Sequence, residues 1–135
     1  MKLAGDGNVL LSALIGGQAM RVLRHQAIEE VLTTGATLAE VQEYAGQLAR
    51  KRRLDVDVVL LAAATLPVTT VPRTVYASSL AEARKRIGRR DPDDVELLAL
   101  AIQLQLPVWS NDNDFENTGV VWYTTASLLA ALESK

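Results

Sequence analysis

Apolar residues follow two rhythms along this chain. Brief β-branched or continuous runs alternate with longer stretches whose apolar positions recur three and four apart. The brief runs predict five strands, over 2–5, 31–34, 68–71, 108–110 and 120–123. Helical spacing joins Val9, Leu10, Ala13 and Leu14, and Gly16-Gly17 stops it. A second helix carries Met20, Val22, Leu23 and Ala27. Thr37 opens a third, where TLAE has the form of a capping box. Val41, Tyr44, Ala45, Leu48 and Ala49 make its apolar face, and basic residues 51–53 end it. Asp55 or Asp57 starts a helix through Val59, Leu60 and Ala63 that Pro67 closes. Residues 74–87 read as one helix with Leu80, Ala83 and Ile87 inward. Asp91-Pro92-Asp93-Asp94 starts another, with Leu97, Leu98, Ala101, Ile102 and Leu104 buried. A closing helix begins near Thr124 or Thr125.

Strands that alternate with helices in this way predict a parallel sheet covered on both faces. The expected fold class is α/β, a three-layer α/β/α sandwich around a central, mostly parallel five-stranded sheet. The 135 residues suit a single domain over 1–135, with no internal repeat or linker. Aromatics are only 4% of the chain, so the core must be aliphatic, with Trp109 inside it. Trp122 and Tyr123 fit either core or a dimer edge.

Acidic residues follow the predicted strands. Asp6 follows the first, Glu40 comes after the second, Asp94 follows the RRDP turn, and Asp112 and Asp114 follow 107–109 in LPVWSNDNDF. Each has an ordinary explanation. Asp6, Asn8 and Asp91 are good helix caps, Glu40 suits a capping box, and Asp112 and Asp114 suit an Asn-rich turn. Together they share one edge of a parallel sheet, where ligands bind. Capping alone does not call for a full negative charge at most of these sites. Carboxylates crowded together repel one another, and a divalent cation offsets that repulsion.

Composition narrows the chemistry. With no cysteine and one histidine, zinc sites are disfavoured, while hard oxygen ligands select Mg²⁺ or Mn²⁺. Such an ion activates water and stabilises charge on a phosphodiester. Neither GDGN nor ALIGG has the spacing or lysine of a phosphate-binding loop. A receiver-type phosphoryl transfer would want a lysine after a predicted strand, and none is there. His25 reads as a surface or partner-contact residue. The net charge of −2 gives no global pull on nucleic acid, which leaves local basic clusters at 50–53, 84–86 and Arg89-Arg90. The clusters read first as solvated helix faces or ends. Arg89 and Arg90, just before the acidic turn, are the better phosphate-contact candidates. No apolar run spans a bilayer and no secretory leader is evident, so a cytoplasmic protein is expected.

Four segments together resemble the PIN domain family over nearly the whole chain. They are GDGNVLLSAL at 5–14, TLAEV at 37–41, RRDPDDVELLALA at 89–101 and SNDNDF at 110–115. The resemblance implies a Mg²⁺- or Mn²⁺-dependent ribonuclease. It further implies a VapC-like toxin of a type II toxin–antitoxin module, dimeric and silenced by an antitoxin protein. Carried over by position, Asp6, Asp94 and Asp112 or Asp114 become metal ligands, with Glu40 a further catalytic acid. Asn8, Ser110, Asn111 and Asp91 support them. Gly7 departs from the Thr or Ser frequent in the family, so a catalytically weakened module that binds RNA or an antitoxin is the alternative. Leu60, Leu61 and Ala64 offer a homodimer surface.

Overall fold

The computed structural model describes residues 1–89 and 91–134. Strands β1 (Lys2–Gly5), β2 (Glu30–Thr34), β3 (Thr69–Val71), β4 (Val108–Trp109) and β5 (Trp122–Tyr123) form one sheet in the order β3-β2-β1-β4-β5. Every strand pairing is parallel, so the sheet is wholly rather than mostly parallel.

Successive strand residues point to opposite faces, and both faces are covered. Leu3, Val31 and Trp109 pack with α1 (Gly7–Leu14), α2 (Gln18–Leu23), α3 (Gly35–Lys51) and α8 (Thr125–Glu133). Their neighbours Ala4, Leu32 and Val108 face the other way, onto α5 (Arg73–Tyr76), α6 (Leu80–Ile87) and α7 (Val95–Leu104). The result is the three-layer α/β/α sandwich that the alternation predicts. Helix α4 (Val56–Ala64) lies outside the main layers, on α3, through Ala45, Ala49, Val59 and Ala63. Gly16 and Gly17 sit at φ +82° and +87°, a left-handed turn between α1 and α2 that a side chain would strain.

Several boundaries differ from the expectation for local physical reasons. Helix α3 starts at Gly35, not Thr37, because extended Thr34 is its N-cap and its hydroxyl accepts the Thr37 amide at 3.0 Å. TLAE is therefore no capping box, and Glu40 has no capping duty. The predicted 74–87 helix is broken. A tight turn over Ala77–Ser79 separates α5 from α6, where Ser78 and Ser79 donate to Gln103 Oε1 at 2.8 and 2.7 Å. Asp91 does not cap through its side chain, and Pro92–Asp94 form a 3₁₀ turn before α7. Ala27 lies past the end of α2. Tyr44 and Leu104 are 42% and 38% exposed, so neither belongs to the core.

Candidate metal centre

From β1 the chain builds β2 and β3 on one side, then returns to β4 and β5 on the other. At such a switch point the connections diverge and leave a crevice outside the carboxyl ends of the strands. Asp6 follows β1 and Ser110 follows β4, so both open into this crevice. Gly5 pairs with Trp109, and the Asp6 amide donates to the Trp109 carbonyl at 3.0 Å, which sets position 6 level with 110.

A hydrogen-bond network fixes the first wall. Asp6 is 8% exposed. Its Oδ1 accepts the Gly7 amide at 2.7 Å, capping α1, and its Oδ2 accepts Ser110 Oγ at 2.8 Å and Asn8 Nδ2 at 3.2 Å. Asn8 Nδ2 also lies 3.1 Å from Ser110 Oγ and 3.0 Å from Asp112 Oδ2. Two N–H groups thus serve three oxygens and hold Asp6 and Asp112 against their mutual repulsion. Asn8 Oδ1 accepts the Asn111 amide at 3.0 Å, and Asn111 Oδ1 accepts the Thr125 amide at 2.8 Å, tying the loop to α8. Behind them Trp122 Nε1 donates to the Ser110 carbonyl at 2.9 Å, and Trp109 Nε1 donates to Thr125 Oγ1 at 2.9 Å.

The second wall comes from the start of α7. One oxygen each of Asp91, Asp94 and Asp114 lie within 4.8 Å of one another. Asp112 Oδ1 accepts the Asp114 amide at 3.1 Å, which links the two walls. Crowding shows in their proton affinities. Burial pushes Asp94 up to about 8, helped by the charges of Asp6, Asp112, Asp91 and Asp114. Burial, then hydrogen bonds to Asp112 and Asp91, take Asp114 to about 6. Burial also raises Asp6, although Ser110 and Gly7 pull it the other way, with Asp112 and Asp91 adding repulsion. Glu40, exposed on α3, is raised by burial first and then by Asp93, Asp6 and Glu43.

A family model described as PIN domain matches residues 6–133. This chain belongs to the PIN domain family. Three solved structures share the PIN fold at low identity. VapBC2 from Rickettsia felis, bound to a DNA fragment from its promoter, aligns at TM-score 0.70 and 13% identity over 92% of this chain and 98% of that one. FitAcB from Neisseria gonorrhoeae aligns at 0.62 and 19%, over 93% and 99%. VapBC-1 from nontypeable Haemophilus influenzae aligns at 0.61 and 15%, over 93% and 99%. No curated protein sequence matches significantly.

Within this PIN fold, Asp6, Asp94, Asp112 and Asp114 share the crevice, with Asn8, Ser110 and Asn111 bonded into it. Asp91, expected only to support, stands with Asp94 and Asp114 as a ligand-competent oxygen. Glu40 is at the rim and senses Asp6 without joining that trio. Arg89 is exposed, and Arg90 lies outside the described residues. The donor set fits an oxygen-coordinated dication. Oxygens bound about 2.1 Å from one octahedral Mg²⁺ are roughly 3.0 Å apart when adjacent and 4.2 Å when opposite, so the trio would draw together on binding one ion. The indole of Trp122, which holds Ser110, carried no signal in the sequence that separated it from an ordinary core or edge aromatic.

Proposed function

We propose that this protein is a Mg²⁺- or Mn²⁺-dependent endoribonuclease acting in the cytoplasm as the toxin of a type II toxin–antitoxin module. One observation carries the reading: Asp6, Asp91, Asp94, Asp112 and Asp114 meet at the switch-point crevice of a PIN domain, and PIN domains are generally nucleases. Asp6, Asp94 and Asp112 or Asp114 would hold the ion. When bound, it stabilises charge on a phosphodiester and acidifies water. Asn8 and Ser110 keep Asp6 and Asp112 oriented. Glu40, its pKa raised and its side chain open to solvent, would take the proton of the attacking water. Arg89, just ahead of Asp91, offers a phosphate contact at the rim. The weakened-module alternative rests on Gly7, yet Ser110 Oγ already places a hydroxyl on Asp6 at 2.8 Å.

Two of the fold neighbours are VapBC proteins, one of them bound to DNA from its promoter, and this supports an antitoxin-type protein as the partner here. Leu60 and Leu61 on α4 are 42% and 65% exposed, with Ala64 beside them, and suit a homodimer contact. Among the described residues no helix is long and apolar enough to cross a membrane.

The test is cleavage of single-stranded RNA with Mn²⁺ or Mg²⁺, abolished by EDTA and restored by excess metal. Cleavage that survives EDTA, or that persists in Asp6→Asn, would refute the assignment. Asn8→Ala should keep the circular-dichroism spectrum yet lose about 10–100-fold in Mn²⁺ affinity and cleavage, the scale for groups that orient metal ligands. Parent-like values would show that the Asn8 network does no positioning.

A further inference from the structure

A second polar cluster, partly buried, stands beside the acidic crevice, and none of the proposed metal ligands belongs to it. Tyr76, the last residue of α5, is 2% exposed. Its hydroxyl donates to Glu96 Oε1 at 2.7 Å, and Glu96 Oε2 pairs with Arg73 Nε at 3.3 Å. Glu96 lies in the first turn of α7, two residues after Asp94. Thr34, the buried end of β2 and N-cap of α3, lies near enough to the Tyr76 hydroxyl to pull its pKa down. Thr34 Oγ1 in turn shares a hydrogen with Thr37 Oγ1 at 2.8 Å. Thr37 is buried against the site as well, because a Cβ at Gly7 would lie 3.9 Å from its methyl group.

One phenol is therefore bonded to the first turn of α7, which follows Asp94 directly, and stands against the start of α3, the helix that carries Glu40. Asp94 sits in the 3₁₀ turn that leads into α7, and Glu40 sits on α3, so their separation depends on how these elements are braced. We infer that Tyr76 is a positioning residue for the acidic crevice, holding the first turn of α7, and with it Asp94, through its bond to Glu96.

The chemistry suits a permanent brace. Burial, then the Glu96 carboxylate, push the phenol up to about 12, so it remains a donor across any assay pH. Glu96 is already partly exposed, so without the hydroxyl it would turn toward water and Arg73 to satisfy the freed oxygen. Movement of Glu96 turns the first turn of α7 and takes Asp94 with it. Side chains set only about 1 Å from productive geometry can cost 100-fold in rate. This inference rests on the nuclease reading for its kinetic consequence but not for its structural one.

Three variants test it. Tyr76→Phe keeps the ring and loses the hydroxyl. Glu96→Gln keeps an oxygen acceptor for the phenol. Ile87→Val trims a buried side chain on α6 in the same core, and serves as a control of reduced stability away from the brace. In Tyr76→Phe, Mn²⁺ affinity by calorimetry should fall about fivefold or more, and kcat for RNA should fall about tenfold with KM within twofold. Ile87→Val, matched for loss of melting temperature, and Glu96→Gln should both stay within about twofold of the parent. Amide exchange over 95–98 should quicken about tenfold in Tyr76→Phe but not in Ile87→Val. Unchanged exchange there, or equal Mn²⁺ loss in the control, overturns the brace. Faster exchange in a protein whose parent neither binds Mn²⁺ nor cuts RNA supports the brace and overturns the nuclease reading alone.

Discussion

Asp94→Asn is expected to make the metal-free protein more stable while removing the metal-dependent cleavage proposed for it. The carboxyl is half-buried among four like charges and is pushed up to about 8, against an ordinary value near 4. Below about pH 4 both folded and unfolded chains carry the protonated acid, and Asp94 costs nothing. As pH rises the unfolded chain ionises first. The folded state then loses relative stability until about pH 8, above which the loss is constant. An uncharged asparagine removes this loss. After discounting for solvent screening of a half-exposed group, the gain is about 2–3 kcal/mol at pH 8.5 and close to zero at pH 4. For a chain of this size that is a rise of roughly 5–10 °C in melting temperature. Cleavage with Mn²⁺ should drop by more than about 100-fold, because on the proposed reading a ligand itself is lost rather than a group that orients one. Thermal unfolding in EDTA at the two pH values checks the first half, and an RNA cleavage assay checks the second. A variant less stable than the parent at pH 8.5 would mean that the carboxylate makes a native contact outweighing its repulsion.

Metal binding should release protons and strengthen steeply with pH. An ion binds the deprotonated acids, so any proton that Asp94 or Asp114 still carries must leave when it arrives. With Asp94 near 8 and Asp114 near 6, one proton is displaced over most of the range from pH 6 to 8, and a second below 6. Apparent Mn²⁺ affinity should rise about tenfold per unit of pH between 6 and 8, and more steeply below 6. Mn²⁺ at about 100 times its dissociation constant should stabilise the fold by about 2.7 kcal/mol. The same concentration should do far less at pH 5.5. Calorimetry in buffers of different ionisation enthalpy counts the protons directly. Affinity that is flat from pH 5.5 to 8, with no proton released, would place the ion away from this pair of acids.

The layered fold was legible because its signals are local. Alternating sides of Leu3-Ala4, Val31-Leu32 and Val108-Trp109 follow from a backbone whose side chains point up and down in turn, and both positions are apolar because both faces are covered. The acidic positions were legible for a related reason. Parallel strands all deliver their following residues to one edge, so Asp6 and the acids of 110–114 had to share it. Helix starts were less legible. Thr34 and Thr37 are equally good caps by residue type, and the extended backbone at Thr34, set by strand pairing with Val71, made the choice. The single helix expected over 74–87 failed because Ser78 and Ser79 turn toward Gln103, a partner more than twenty residues away that no local period announces.

By itself, then, the sequence determined the layers, the edge on which the chemistry gathers, and its all-oxygen character, because strand alternation, parallel connection and side-chain type are properties of short segments. Tertiary structure alone decided which acids touch. Asp91 joins Asp94 and Asp114, Asp112 turns to Asn8, Glu40 stays at the rim, and Tyr76 reaches Glu96. The reason is physical: a contact between elements depends on how helices seat on the sheet to within an ångström or so, and spacing along the chain carries no record of that distance.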